Sequence, residues 1–293
     1  MRIVTGLWLA FGLALAATPA ARAADGKIAV VAAENFYGDV ARQIGGDRVA
    51  VASILNNPDQ DPHLFETTPG IARQIADARI VIFNGADYDA WMDKLLNAAP
   101  RPGRSVIVAA ELVHSKAGDN PHLWYEPATM PAVATAFAAA LSAADPAGKD
   151  AYAARLAAFL ASLKPLNDKI AAIGAKYAGA PVTASEPVFG YMAGALKLTM
   201  RNERFQLAIM NDTEPSARDV AAFEQDLKTH KVRVMFYNKQ ASNKVVQHLV
   251  MLARAAKVPV VGVRETAPPE LSFQEWMLTQ LNDTDKALAG PSS

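Results

Sequence analysis

Five histidines occur in the chain, and two of them share a setting. His63 follows Pro62 in Asp61-Pro62-His63-Leu64-Phe65-Glu66, and His122 follows Pro121 in Asn120-Pro121-His122-Leu123-Trp124-Tyr125-Glu126. Proline fixes its own φ and confines the residue before it to extended backbone, so each imidazole rides on stiff chain. That suits a metal ligand better than a loose surface group. A divalent ion wants about four or more donors. The chain has no cysteine, so the remaining donors must be carboxylates or water. Three acids stand at the ends of expected strands in the second half: Glu186 after 182–184, Asp212 after 206–210 and Glu265 after 258–263. Position alone does not choose among them. His230 and His248 stand in helical or helix-terminal sequence and read as surface residues.

The elements that must carry these groups follow from periodicity. Residues 27–33, 49–55, 80–84 and 106–109 are short apolar runs and read as strands. Residues 36–44 and 68–78 read as helices, the second with Thr68 as N-cap and Pro69 in the first turn. Strands alternating with helices predict a mostly parallel sheet, whose ligand sites lie beyond the carboxyl ends of the strands. From 127 to 178 the chain is alanine-rich and helical. Tyr152, Leu156, Phe159, Leu160, Leu163, Leu166, Ile170, Ile173 and Tyr177 form one apolar stripe of about seven turns, with Pro165 set to kink or interrupt it. The alternation then resumes with strands at 182–184, 206–210, 232–237 and 258–263. Ser216–Asp219 and Ser272–Glu275 read as capping boxes. The plan is α/β: two lobes with mostly parallel sheets, 24–143 and 179–293, joined by one long helix over 144–178.

Composition narrows the function. Lysine plus arginine and aspartate plus glutamate both number 29, which argues against a nucleic-acid binder. The absence of cysteine excludes disulfides, thiolate metal sites and a lipid anchor on an N-terminal cysteine. Arg2, an apolar run to Ala17, Pro19 and Ala21-Arg22-Ala23 form the pattern of a cleaved signal peptide over residues 1–23. Its removal takes away Arg2 and Arg22 and no acid, leaving 27 basic residues against 29 acidic ones and a net charge of −2. No later apolar stretch approaches the roughly 18 residues of a membrane span. The expectation is an exported, unanchored protein of the periplasm.

The ordered set of motifs resembles the zinc/manganese family of periplasmic and surface metal-binding proteins that serve ABC importers. The likeness runs through Asp61-Pro62-His63 with Glu66 and Pro69, then Asn120-Pro121-His122-Leu123-Trp124, then Thr183-Ala184-Ser185-Glu186-Pro187-Val188-Phe189-Gly190-Tyr191, and ends at Glu265. The resemblance implies two α/β lobes on a helical spine and one metal ion between them. It implies His63, His122, Glu186 and Glu265 as ligands, no catalysis, and an inner-membrane permease with its ATPase as partner to a monomer. Three departures stand out. Glu265 occupies a position usually held by aspartate. Glu186 stands where zinc-dedicated members tend to have a third histidine. The stretch Val113-His114-Ser115-Lys116-Ala117-Gly118-Asp119 carries one histidine where many zinc-specific members have a histidine-rich loop.

Two neutral imidazoles and two carboxylates would neutralise a 2+ ion, which avoids sealing net charge between lobes. Mixed N/O donation suits Zn2+, Mn2+ or ferrous iron. Glu66, Asp61 and Asp212 are candidates to orient the imidazoles. Two other readings fit two histidines and several acids. One is a same-fold carrier of a metal chelate or organic ligand, with Trp91, Trp124, Trp276 and Phe189 as candidate aromatics. The other is a metal-dependent hydrolase, although the chain has no His-Glu-x-x-His helix and no Gly-x-Ser-x-Gly elbow.

Overall fold

The computed structural model describes residues 26–241 and 243–290, and the signal-peptide reading of 1–23 lies outside them. The first lobe runs β1 (Ile28–Glu34), α1 (Asn35–Gly45), β2 (Val49–Leu55), α2 (Pro69–Asp77), β3 (Ile80–Phe83), α3 (Trp91–Ala98), β4 (Ser105–Val108), α4 (Ala109–Leu112) and α5 (Thr129–Ala144). Two further helices follow, α6 (Lys149–Ser162) and α7 (Lys164–Tyr177). The second lobe runs β5 (Pro181–Ala184), α8 (Gly190–Ala195), β6 (Thr199–Arg201), α9 (Glu203–Met210), α10 (Ala217–Lys228), β7 (Met235–Asn238), α11 (Lys244–Ala255), β8 (Val260–Val263) and α12 (Phe273–Ala289).

Each lobe holds a four-stranded sheet, and every strand pair is parallel. The strand orders are β2-β1-β3-β4 and β6-β5-β7-β8, the same pattern twice. In both sheets the order reverses beside the first strand, which opens a crevice at the carboxyl ends. β1 and β3 are buried almost throughout, as central parallel strands with helices on both faces must be.

The spine differs from a single rod. A turn at Leu163 separates α6 from α7, and Pro165 sits in the first turn of α7, where its missing N–H leaves no carbonyl unpaired. The apolar stripe continues across the break, and its two halves serve different lobes. Tyr152 and Phe159 face α1 and α5, while Ile170, Ile173 and Tyr177 face the second lobe and α12. Lys169 pairs with Asp285 of α12 at 2.6 Å.

One expected strand fails here and one strand goes unmarked in the sequence. Residues 206–210 are not a strand but the end of α9. The edge strand β6 carries no apolar run and escapes a hydrophobicity scan. The N-cap expectations hold for Thr68 and for the full box of Ser272 with Glu275. Ser216 caps α10 through the Asp219 N–H, but Asp219 turns back to the serine hydroxyl instead of the backbone, so the box is half formed. Among the described residues no helix is long and apolar enough to cross a membrane.

Candidate metal centre

His63, His122 and Glu265 converge from three separate connections. His63 sits in a tight turn, Pro62–Leu64, in the β2–α2 connection, and the Asp61 carboxylate accepts its backbone N–H at 2.9 Å. His122 precedes another turn, Leu123–Tyr125, whose aromatic residues are buried. Trp124 packs on Phe36 and Tyr125 on Trp276, with ring centroids 4.8 and 5.8 Å apart, and this pins the His122 backbone. Glu265 follows β8, and its backbone N–H donates to Gln240 Oε1 at 2.6 Å.

Glu265 Oε2 lies 3.7 Å from His63 Nε2 and 3.4 Å from His122 Nε2. Donors about 2.1 Å from a tetrahedral ion stand about 3.4 Å apart, so these separations match the edges of a coordination shell. All three donor atoms fall within 4.8 Å of one another. His122 and Glu265 are sealed from solvent, whereas the His63 side chain keeps 35% of its surface exposed. His122 Nε2 and Glu265 Oε2 are buried with no hydrogen-bond partner. Leaving such atoms unpaired costs about 1–3 kcal/mol each, and a cation between them removes that cost.

The hydrogen-bond network fixes the His122 tautomer. Asn120 Nδ2 donates to the Pro187 carbonyl at 2.8 Å, so Asn120 Oδ1 faces His122 Nδ1, 2.6 Å away. Nδ1 therefore carries the proton and Nε2 keeps its lone pair. The partner that orients this imidazole is Asn120, inside the quoted motif, and not one of the three acids expected. Asp61 holds the His63 backbone and not its ring, while Glu66 and Asp212 are exposed, Asp212 in a left-handed turn after α9. His230 and His248 are exposed, as the sequence indicated.

Glu186 lies outside the 4.8 Å cluster but is joined to it. It follows β5 and is 3% exposed. Asn238, at the end of β7, donates one amide proton to Glu186 Oε2 and the other to Glu265 Oε1. Asn238 belongs to none of the sequence motifs. Its one signal was position, at the carboxyl end of an apolar run. Burial first, and the Glu265 charge second, push the Glu186 carboxyl up to about 8. Glu265 feels burial too, but His122, His63 and Asn238 outweigh it and hold the carboxyl below its ordinary range.

Tyr88 is a second residue the sequence did not flag. Its ring stands edge-on to both imidazoles, 6.2 Å from His63 and 6.1 Å from His122, and its hydroxyl is buried without a partner. The candidate aromatics for an organic ligand are occupied elsewhere. Trp124, Trp276 and Phe189 are core residues, and Trp91 packs on Phe65.

The family model described as "Zinc-uptake complex component A periplasmic" (ZnuA) matches residues 30–287. The chain belongs to this family. Within this zinc-uptake family the likeness to individual proteins is distant but long. A Treponema pallidum protein named for metal binding is 26% identical over 289 residues, covering 90% of this chain and 88% of its own. The manganese ABC transporter substrate-binding lipoprotein PsaA of Streptococcus pneumoniae is 29% identical over 175 residues, 55% of this chain and 56% of its own. In structure, the periplasmic zinc-binding protein TroA from Treponema pallidum superimposes with a TM-score of 0.76 at 18% identity, over 90% of this chain and 99% of its own. That likeness establishes the fold.

Proposed function

We propose that the chain captures one divalent transition metal ion, Zn2+ or Mn2+ with ferrous iron as the third candidate, and delivers it to an ABC-type importer. The observation that carries this reading is the convergence of His63 Nε2, His122 Nε2 and Glu265 Oε2 at the spacing of a coordination shell, two of them buried and unpaired. Glu186 completes the set as fourth ligand, reached by a small shift of its side chain from Asn238. The ion is cargo, and nothing in the reading calls for catalysis. Relatives named for zinc and for manganese support the choice of metals. Irving–Williams ordering makes zinc the tighter binder at most such sites, so affinity alone does not name the physiological cargo. The working units are the lobes 24–143 and 179–293 with the helical connection 144–178. His63 and His122 come from the first lobe and Glu186 and Glu265 from the second, so separating the lobes would divide the ligands two and two. Export to the periplasm, a monomeric state, and an inner-membrane permease with its ATPase complete the proposal.

The test is thermal unfolding of chelator-stripped protein with and without each metal. At about 100 times its Kd, a ligand stabilises the native state by about 2.7 kcal/mol, which is about 5 °C for a chain of this size. Zinc or manganese should give such a shift, His122→Ala should abolish it, and His248→Ala should leave it intact. No shift with any metal, or equal losses in both variants, overturns the assignment.

A further inference from the structure

Beneath the candidate centre lie two carboxyl groups that no ligand assignment uses. Glu34, at the end of β1, is 1% exposed, and Asp89 is 0% exposed. No ion pair reaches either of them among the described residues. The titratable groups that face them are Tyr37 and Tyr88, both pushed upward first by burial and then by nearby carboxylates. Two bare charges here would be untenable, so the pair must hold a proton. The surroundings say which acid holds it. Asp89 accepts backbone N–H groups from Asn84 at 2.6 Å and Gly85 at 2.8 Å, which favour its charged form. Neither Glu34 oxygen has a hydrogen-bond partner, and burial first, with the nearby Asp89 charge second, holds the Glu34 carboxyl well above its ordinary range. Glu34 is therefore the acid that holds the proton, and Asp89 the one that stays charged.

Asp89 closes an unusual loop. Gly85, Ala86 and Asp87 are three consecutive left-handed residues, with φ of 75°, 51° and 66°. Such backbone persists only where its surroundings hold it. The loop presents two groups to the centre. Asn84 Nδ2 donates to the Pro121 carbonyl at 2.8 Å, next to His122, while Tyr37 OH fixes Asn84 Oδ1 at 2.8 Å. Tyr88 sets its ring against both imidazoles.

We propose that Asp89 is a positioning residue for the ion, with Glu34 as the buried proton donor that lets its carboxylate stay charged. The pair holds loop 84–89, and the loop holds His122 and Tyr88 in place for coordination. This rests on the reading of His122 as a ligand. Zn2+ and Mn2+ affinities of the stripped full chain, with the metal-free unfolding midpoint in parallel, test it. Asp89→Asn places an amide against two N–H donors and should weaken metal binding about 10- to 100-fold, as losses of outer partners do, in protein that is still folded. Glu34→Gln keeps a donor toward Asp89 and should retain wild-type affinity. Glu34→Leu fills similar space without a donor and should lose affinity as Asp89→Asn does.

In metal-loaded wild type at pH 7.5, infrared spectra should show a protonated-carboxyl band that Glu34→Gln removes. This readout stands even if Asp89→Asn fails to fold. Absence of the band, or wild-type affinity in both Asp89→Asn and Glu34→Leu, overturns the inference. His122→Ala serves as the control. If it binds metal as tightly as wild type, the metal-centre reading itself has failed, whatever Asp89 does.

Discussion

Asn238 gives one amide proton to Glu186 and one to Glu265, yet the two carboxyls titrate in opposite directions. Burial dominates at Glu186, with the Glu265 charge behind it, and its carboxyl rises to about 8. Between about 4.5, where the unfolded carboxyl titrates, and about 8, the native state holds a proton that the unfolded state has released. Stability of the metal-free protein therefore falls as pH rises through that window. The unfolding midpoint should be higher at pH 6 than at pH 8.5, and Glu186→Gln should reduce the difference, leaving the part contributed by the protonated Glu34. A midpoint that climbs from pH 6 to 8.5 sinks this account. Metal binding at pH 7 should release that proton, so affinity should increase with pH up to about 8. Calorimetry in buffers of different ionisation enthalpy reads the proton directly.

At the scale of elements, the loop after β3 carries the sharpest constraint. A Cβ on Gly85 would meet Val108 Cγ1 at 2.7 Å and Ala110 Cβ at 3.0 Å, at a φ of +75°. Gly85→Ala should destabilise the protein by about 1–3 kcal/mol. It should also lower metal affinity, because Asn84 and Tyr88 move with the loop; unchanged binding would show that the loop is merely structural. This loop also marks where sequence reading ran out. The apolar run at 80–84 predicted a strand, and Asn84-Gly85 signals a turn, but not three consecutive left-handed residues that include Ala86. Periodicity reported two α/β lobes and the apolar stripe, because each rests on burial of apolar faces, but it read one long helix where the chain turns at Leu163, just before Pro165. It misread residues 206–210, because a short apolar run fits a strand and a buried helical turn equally well. The ligand candidates were legible from proline-histidine pairs and the family motif. Asn238, Tyr88, Glu34 and Asp89 were not, since their significance comes from what tertiary structure places beside them.

At the scale of the whole molecule, one apolar core runs through both lobes. Rings link Phe36 to Trp124 and Trp276, Trp276 to Tyr125, Tyr125 to Phe189, and Phe189 to Phe236 on β7. Polar contacts reinforce it. Asn35 pairs with both backbone groups of Ala267 at 2.7 and 3.0 Å, Gln240 donates to the Gln60 carbonyl at 2.7 Å, and Arg264 donates to the Pro58 carbonyl. Any lobe separation must work against this shared core, which favours a small movement near Glu265 over a wide opening. Asn35→Ala orphans two buried backbone groups and should lower the midpoint by roughly 4–11 °C. If the pair also holds the lobes together around the ion, metal affinity should fall with it. Unchanged midpoint and affinity would remove Asn35 from the account.

The unequal exposure of the two histidines has a kinetic meaning. An ion bound here would meet water only on the His63 side, since His122 and Glu265 are walled in by protein. At the proposed centre, ligand exchange would then run in one order, with His63 the first donor to let go and the last to engage. A competing chelator can enter at that one vertex of the shell. Residence time would be governed at His63, and the depth of the energy well by the donors behind it.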